Sequence, residues 1–144
     1  MSLVRDVLRK KGGNVTTIAP GSTVFEAAKL MHQDRIGALV VMDGEEIIGI
    51  FTERDLLNRV VADRLDPDIT QIYEVMTGRV AFCTRDTTVE ACRTIMTRHR
   101  LRHLPVVEDG RLLGIISAGD ILARELADQE ETIKYLHEYM LGAV

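Results

Sequence analysis

Tryptophan is absent from this 144-residue chain, and tyrosine and phenylalanine supply three residues each. With aromatics at 4%, the core has to be aliphatic, and a planar ligand finds few rings to stack on. Cysteine occurs twice, at Cys83 and Cys92, which do not form a CxxC pair. That excludes a disulfide-stapled scaffold or a cysteine-rich zinc module and leaves both residues a small, buried apolar role. Long apolar runs are also missing. The longest, residues 36–42 with Gly37 counted, is far short of the ~20 residues of a membrane span. Met1-Ser2-Leu3-Val4-Arg5-Asp6 leads into charges rather than the apolar core of a signal peptide. There is no basic excess: 18 Lys and Arg face 22 Asp and Glu, a net charge of −4, which argues against a broad nucleic-acid surface. A cytoplasmic globular protein without membrane or nucleic-acid partners is the expectation, and the 46% hydrophobic content allows a sizeable core.

What is present is repetition. Gly49-Ile50-Phe51-Thr52-Glu53-Arg54-Asp55 returns 65 residues later as Gly114-Ile115-Ile116-Ser117-Ala118-Gly119-Asp120. Val15–Leu57 aligns with Val80–Leu122 without a gap, with eleven identities in 43 positions. Most other core positions exchange one aliphatic residue for another, as Ile36 with Leu101 and Ile47 with Leu112. Half the chain alone would be marginal, so the unit to explain is a pair.

Each copy reads as β-α-β-β-α. A short extended piece (15–18; 80–83) and a turn come first. Ser22/Thr23 and Thr87/Thr88 then offer N-caps to a helix whose apolar stripe is Val24, Ala27, Ala28 and Met31, or Val89, Cys92, Ile95 and Met96. Strands follow over 38–42 and 47–51, or 104–107 and 112–116, joined at Asp43-Gly44 and Asp109-Gly110, a hairpin signal. Their nearly continuous apolar character predicts burial on both faces. A final helix opens at Asp55 or Asp120. Ahead of the first copy, residues 4–11 predict a helix with Val4, Val7 and Leu8 on one face, stopped at Gly12-Gly13. Residues 72–77 look like its counterpart at a shift of 68, so the first copy carries about three extra residues there. The expected organisation is a leading helix with repeat 1 over 1–61, an exposed linker over 62–71, repeat 2 over 72–124 and a C-terminal helix over 125–144.

Thr52 with Asp55, and Ser117 with Asp120, place a hydroxyl and a carboxylate three residues apart just past a buried strand. A carboxylate can accept hydrogen bonds from both hydroxyls of a ribose. It is equally suited to a helix start, where it satisfies free amides, and Thr52 could itself be the cap. His99 and His103 have a helical zinc spacing, but the helix should end near Arg100 and no further ligand stands nearby, so no metal is expected. No nucleophile motif, P-loop or GxGxxG is present, and neither catalytic residues nor enzymatic activity are expected.

Two β-α-β-β-α units, each ending in Gly-h-h-[Ser/Thr]-x-x-Asp (h, apolar), together with Val75-Met76-Thr77, Thr88-Val89 with Met96, and Arg102-His103-Leu104-Pro105-Val106-Val107, resemble a tandem pair of CBS domains, the module named after cystathionine β-synthase. The resemblance covers nearly the whole chain and looks like a stand-alone, bacterial-type pair. It implies an α/β (α+β) fold with a pseudo-twofold axis and a regulatory module binding adenosine-containing ligands in clefts between the repeats. AMP is the first expectation, then ATP, ADP or NAD, and pairing into a homodimer is implied too. Asp55, Asp120, Thr52 and Ser117 would bind ribose. In relatives, basic residues at the places of Arg54, and of Arg102 and His103, contact phosphate. Gly119, and Gly37 with Ala38, stand at the matching places in the other copy, so the two sites are chemically unequal. The adenine slot would be walled by Ile18, Ala27, Ala38, Val40, Cys83 and Cys92, with hydroxyls from Thr84 and Thr87. The competing expectation is a ligand-free dimeric scaffold whose aspartates only cap helices.

Overall fold

The computed structural model describes residues 1–12 and 14–141. Gly13, half of the expected Gly12-Gly13 stop, and the last three residues of the expected C-terminal helix lie outside them. The chain divides into two compact units, and the division crosses the repeats. One unit holds residues 14–81 with 109–112; the other holds 1–13 with 82–108 and 113–144.

The first-repeat unit contains β1 (Thr17–Ile18), α2 (Val24–Asp34), β2 (Ala38–Asp43) and β3 (Glu46–Thr52). β1 lies parallel to β2, and β2 antiparallel to β3. A short helix, α3 (Glu53–Asp55), continues into a π-turn over Leu56–Val61, and α4 (Ile72–Val75) closes the unit. Thr23 caps α2: its hydroxyl accepts from Glu26 N–H at 3.1 Å, while the Glu26 carboxylate accepts from Thr23 N–H at 3.3 Å. This capping box fixes the helix start and with it the stripe Val24, Ala27 and Met31. The stripe packs with Ile18, Leu39, Val41, Phe51, Val60, Ile72 and Val75 into an aliphatic core whose one ring is Phe51.

The second-repeat unit begins with α1 (Val4–Lys11) and continues with α5 (Val89–His99), β4 (His103–Glu108), most of β5 (Arg111–Ser117) and α6 (Ala118–Met140). The extended piece before α5 shrinks to a parallel bridge between Cys83 and Val106. The two hairpin turns differ. Asp109 and Gly110 both have positive φ, as a type I′ turn requires, whereas in the first hairpin only Gly44 does and Asp43 pairs with Glu46.

Each repeat is completed by the segment that leads into the other. Val4 N–H donates to Thr87 O at 2.9 Å, and Ile72 N–H to Ser22 O at 2.8 Å. Arg5 N–H donates to Arg85 O, and Tyr73 N–H to Pro20 O, both at 3.1 Å. The strand partners Leu3 with Thr88 and Thr23 with Gln71 complete the match. These pairs follow from two registers, 65 within the repeats and 68 between the leading segments. Residues 61–69 are exposed and Thr70 is buried.

Candidate functional site

The repeated hydroxyl–carboxylate pairs form capping boxes at the ends of β3 and β5. In the first repeat Thr52 is the N-cap. Its N–H and hydroxyl donate to Asp55 Oδ2 at 3.0 and 3.3 Å, and Asp55 N–H donates back to Thr52 Oγ1 at 3.3 Å. In the second, Ser117 N–H donates to Asp120 Oδ2 at 2.8 Å and Asp120 N–H to Ser117 Oγ at 3.0 Å. The helices therefore start two residues before the aspartates, at Glu53 and Ala118.

The two carboxylates differ in what else holds them. Asp55 is 6% exposed. Its Oδ1 accepts from Thr77 Oγ1 at 3.2 Å, with Arg59 Nε at 3.7 Å. Arg59 also donates to Met76 O at 2.9 Å. Thr77 is held in turn by two backbone bonds with Ile50, at 2.9 and 3.0 Å. The Asp120 side chain is 25% exposed and has a closer ion pair, with Lys11. Lys11 Nζ donates to Asp120 Oδ2 at 2.6 Å and to Ile115 O at 2.8 Å. Ile115 is the counterpart of Ile50, so the Lys11 ammonium stands in the second repeat where Thr77 stands in the first. Burial pushes the Asp120 carboxyl up, but the hydrogen bonds from Lys11 and Ser117 and the Lys11 charge outweigh it and hold the group below its ordinary range.

The insertion near Gly12 explains the exchange. Val4, Val7 and Leu8 match Ile72, Val75 and Met76, but α4 stops at Val75 whereas α1 runs on for another turn to Lys11. Lys11, Thr77 and Arg59 were not expected from the sequence. The signal for Lys11 was the change of register from 68 to 65, which marks extra chain ahead of the first copy.

The other expected residues are only partly brought together. Thr84 and Thr87 meet: Thr84 N–H donates to Thr87 Oγ1 at 3.0 Å, and their hydroxyls lie 3.3 Å apart. Cys83 lies just before them, tied to β4 by Cys83 N–H to Pro105 O at 3.0 Å and Val107 N–H to Cys83 O at 2.9 Å. Arg102 is exposed, and its carbonyl accepts from Ala118 N–H at 2.8 Å, which places its backbone beside the Ser117–Asp120 turn. His103 is half-buried at the start of β4, whereas His99 ends α5. Among the described residues no cluster of three His, Cys, Asp or Glu could hold a metal ion. Arg54 is exposed between Glu53 and Asp55. Ile18 and Ala27 belong to the first repeat's core, while Ala38 and Val40 are buried but outside that cluster, alternating along β2 with its members Leu39 and Val41. The structure therefore does not gather these four into one wall. An open pocket of about 500 Å³ lies elsewhere in the unit, lined by Ala28, Met31, His32, Arg35, Ile36, Gly37, Glu53 and Leu56. Among the described residues no helix is long and apolar enough to cross a membrane.

Comparison with known proteins adds a family. The family model for the CBS domain matches twice, over residues 4–62 and 72–127. A CBS domain-containing protein of Bacillus subtilis, YhcV, is 31% identical over 129 residues, which are 90% of this chain and 89% of that protein. The crystal structure of a CBS-domain containing protein from Agrobacterium tumefaciens superposes with a TM-score of 0.82 at 40% identity, covering 86% of this chain and 99% of that one. A hexameric CBS-CP12 protein from bloom-forming cyanobacteria gives a TM-score of 0.76 at 32% identity, covering 84% of this chain and 70% of that one.

Proposed function

The chain belongs to the CBS-domain family as a tandem pair, a regulatory module of a kind that generally binds adenosine ligands, and from that premise we propose that it senses an adenine nucleotide through the carboxylate that closes the second repeat's hairpin. One observation carries the choice of site. Asp120 is a part-exposed carboxylate whose extra partner is a lysine, whereas Asp55 is buried, with Thr77 donating to its other oxygen and Arg59 beside it. Two ribose hydroxyls can replace a solvent-reachable lysine at Asp120. At Asp55 they would have to unmake a buried network. Ser117, Thr84 and Thr87 supply further hydroxyls in the same unit, and Arg102 and His103 supply bases for phosphate. AMP is the first candidate ligand, then ATP, ADP and NAD.

The role is regulatory rather than catalytic. A ligand can bias the protein's shape only by its differential affinity for two states. Self-association as a homodimer is part of the same reading. The exposed Leu126, Ile133, Leu136 and Met140 of α6 support it, as does the hexameric state of the cyanobacterial relative. A cytoplasmic setting fits the reduced cysteines. A second reading, the ligand-free scaffold, is favoured by one fact: both carboxylates already have internal partners.

Thermal melts with AMP, ADP, ATP, NAD and S-adenosylmethionine separate the two. A ligand at a hundred times its Kd should add about 2.7 kcal/mol, a shift of several degrees. Asp120→Asn should remove the shift and Asp55→Asn should keep it. No shift with any of the five would leave the scaffold.

A further inference from the structure

We infer that Lys11 is the selectivity residue of the second repeat's site, holding Asp120 against neutral nucleosides and releasing it only to a ligand that brings its own anionic group. The inference rests on the nucleotide reading above and deepens it. Lys11 is not a surface lysine that happens to lie near a carboxylate. Its ammonium bridges two acceptors fixed in one unit, Asp120 Oδ2 at 2.6 Å and Ile115 O at 2.8 Å. An ammonium has three donors and no acceptor, so two of its three protons are committed there. Asp120 Oδ2 in turn accepts from Lys11 and from Ser117 N–H, which occupies both lone pairs of that oxygen.

A ribose diol engaging both carboxylate oxygens therefore has to take the place of Lys11. The Lys11 side chain is 36% exposed, so water reaches it and it can swing out on its four-carbon stem. For a neutral nucleoside the exchange gives up a charge-assisted bond for a hydroxyl bond and leaves the ammonium without an anion. For a ligand carrying phosphate, the displaced ammonium gains a new anion within the same stem's reach. In the first repeat the hydrogen bond to Asp55 Oδ1 comes from the neutral Thr77 hydroxyl at 3.2 Å, while the Arg59 guanidinium stands farther off, at 3.7 Å, and donates to Met76 O instead. The extra turn of α1 thus gives one repeat a charge-dependent selectivity.

The test is calorimetric titration of adenosine and of AMP into Asp55→Asn protein, so that only the second site reports, with Lys11 intact, as Lys11→Met and as Lys11→Arg. With Lys11 intact, AMP should bind about tenfold tighter than adenosine. Lys11→Met should move the two ligands in opposite directions, adenosine tighter and AMP weaker, so that the ratio falls towards one. Lys11→Arg should retain most of the preference. A loss of packing or of folded fraction would weaken both ligands together, so opposite shifts distinguish selectivity from a structural role. Melting curves without ligand confirm that each variant is folded. If AMP binds, Asp120→Asn abolishes binding and Lys11→Met changes neither affinity or both in one direction, this inference falls and the nucleotide reading stands. If neither the wild type nor any variant binds adenosine, AMP, ADP, ATP, NAD or S-adenosylmethionine, the nucleotide reading fails and this inference with it.

Discussion

Leu8 occupies the space that Gly114 leaves open: a Cβ on Gly114 would lie 2.6 Å from Leu8 Cδ2. Gly49 has the matching relation to Met76, at 2.7 Å from Sδ, and also faces Thr77 O at 2.8 Å. The glycine that opens each Gly-h-h-[Ser/Thr]-x-x-Asp motif is thus the seat of a leading helix. The obstacle at Gly114 is the end of a flexible side chain, while at Gly49 it includes a backbone carbonyl. Gly49→Ala should therefore be the more destabilising, by about 2–3 kcal/mol against about 1 for Gly114→Ala. Urea denaturation measures both. Leu8→Ala should rescue Gly114→Ala in part, and strictly additive costs would show that the two residues do not share this space.

The buried carboxylate gives a second prediction. Thr77→Val keeps the volume but removes the donor to Asp55 Oδ1. A buried acceptor losing a partner costs about 1–3 kcal/mol. Lys11→Met removes a partner from a part-exposed carboxylate and should cost less, about 0–1 kcal/mol. Equal losses in denaturation midpoints would contradict the difference in burial on which the choice of Asp120 as the open site depends.

The sequence made the repeat, most of its elements and the hydroxyl–carboxylate pairs legible, because each rests on local patterns: caps, apolar stripes, and a glycine, hydroxyl and aspartate at fixed spacing. Both readings of those pairs were open, and the structure shows the capping box. What grips the carboxylates could not be read. Thr77 reaches Asp55 across 22 residues and Lys11 reaches Asp120 across 109. Both belong to leading segments that fall outside the gapless alignment. The first-repeat residues of the expected adenine wall raise a different point. Ile18, Ala27, Ala38 and Val40 are all buried, but burial does not tell which side of β2 a residue faces until the strand pairing is known.

Acid stability follows from the same ion pair. With its carboxyl held below the ordinary 3.8, Asp120 contributes stability above that value and loses it as pH falls through the lowered value. Lys11→Met should be less stable than wild type near neutral pH, and the gap should close from about pH 4 downward. Midpoints of urea unfolding across that range test this. A gap that widened on acidification would reverse the sign and place the stabilising charge elsewhere.

Cys83 and Cys92 give the last prediction. Both are buried and reduced, and Cys83 Sγ–H points to Pro105 O at 3.7 Å. The hydrogen bond with Cys92, burial, and the charge Cys92 would carry push the Cys83 thiol up, and the same hydrogen bond holds the Cys92 thiol below its ordinary value, so of the pair it is Cys83 that stays protonated, and burial is what shields Cys92. Only a thiolate attacks a disulfide reagent, and here neither sulfur is open to solvent. The native protein should therefore react with an aromatic disulfide reagent at the rate of its own opening, releasing two equivalents of thiolate promptly only in denaturant. A stabilising ligand should slow the native reaction further, since it lowers the open population. Prompt reaction of one equivalent in the native state would put a thiol at the surface and overturn the buried, packing role of the pair.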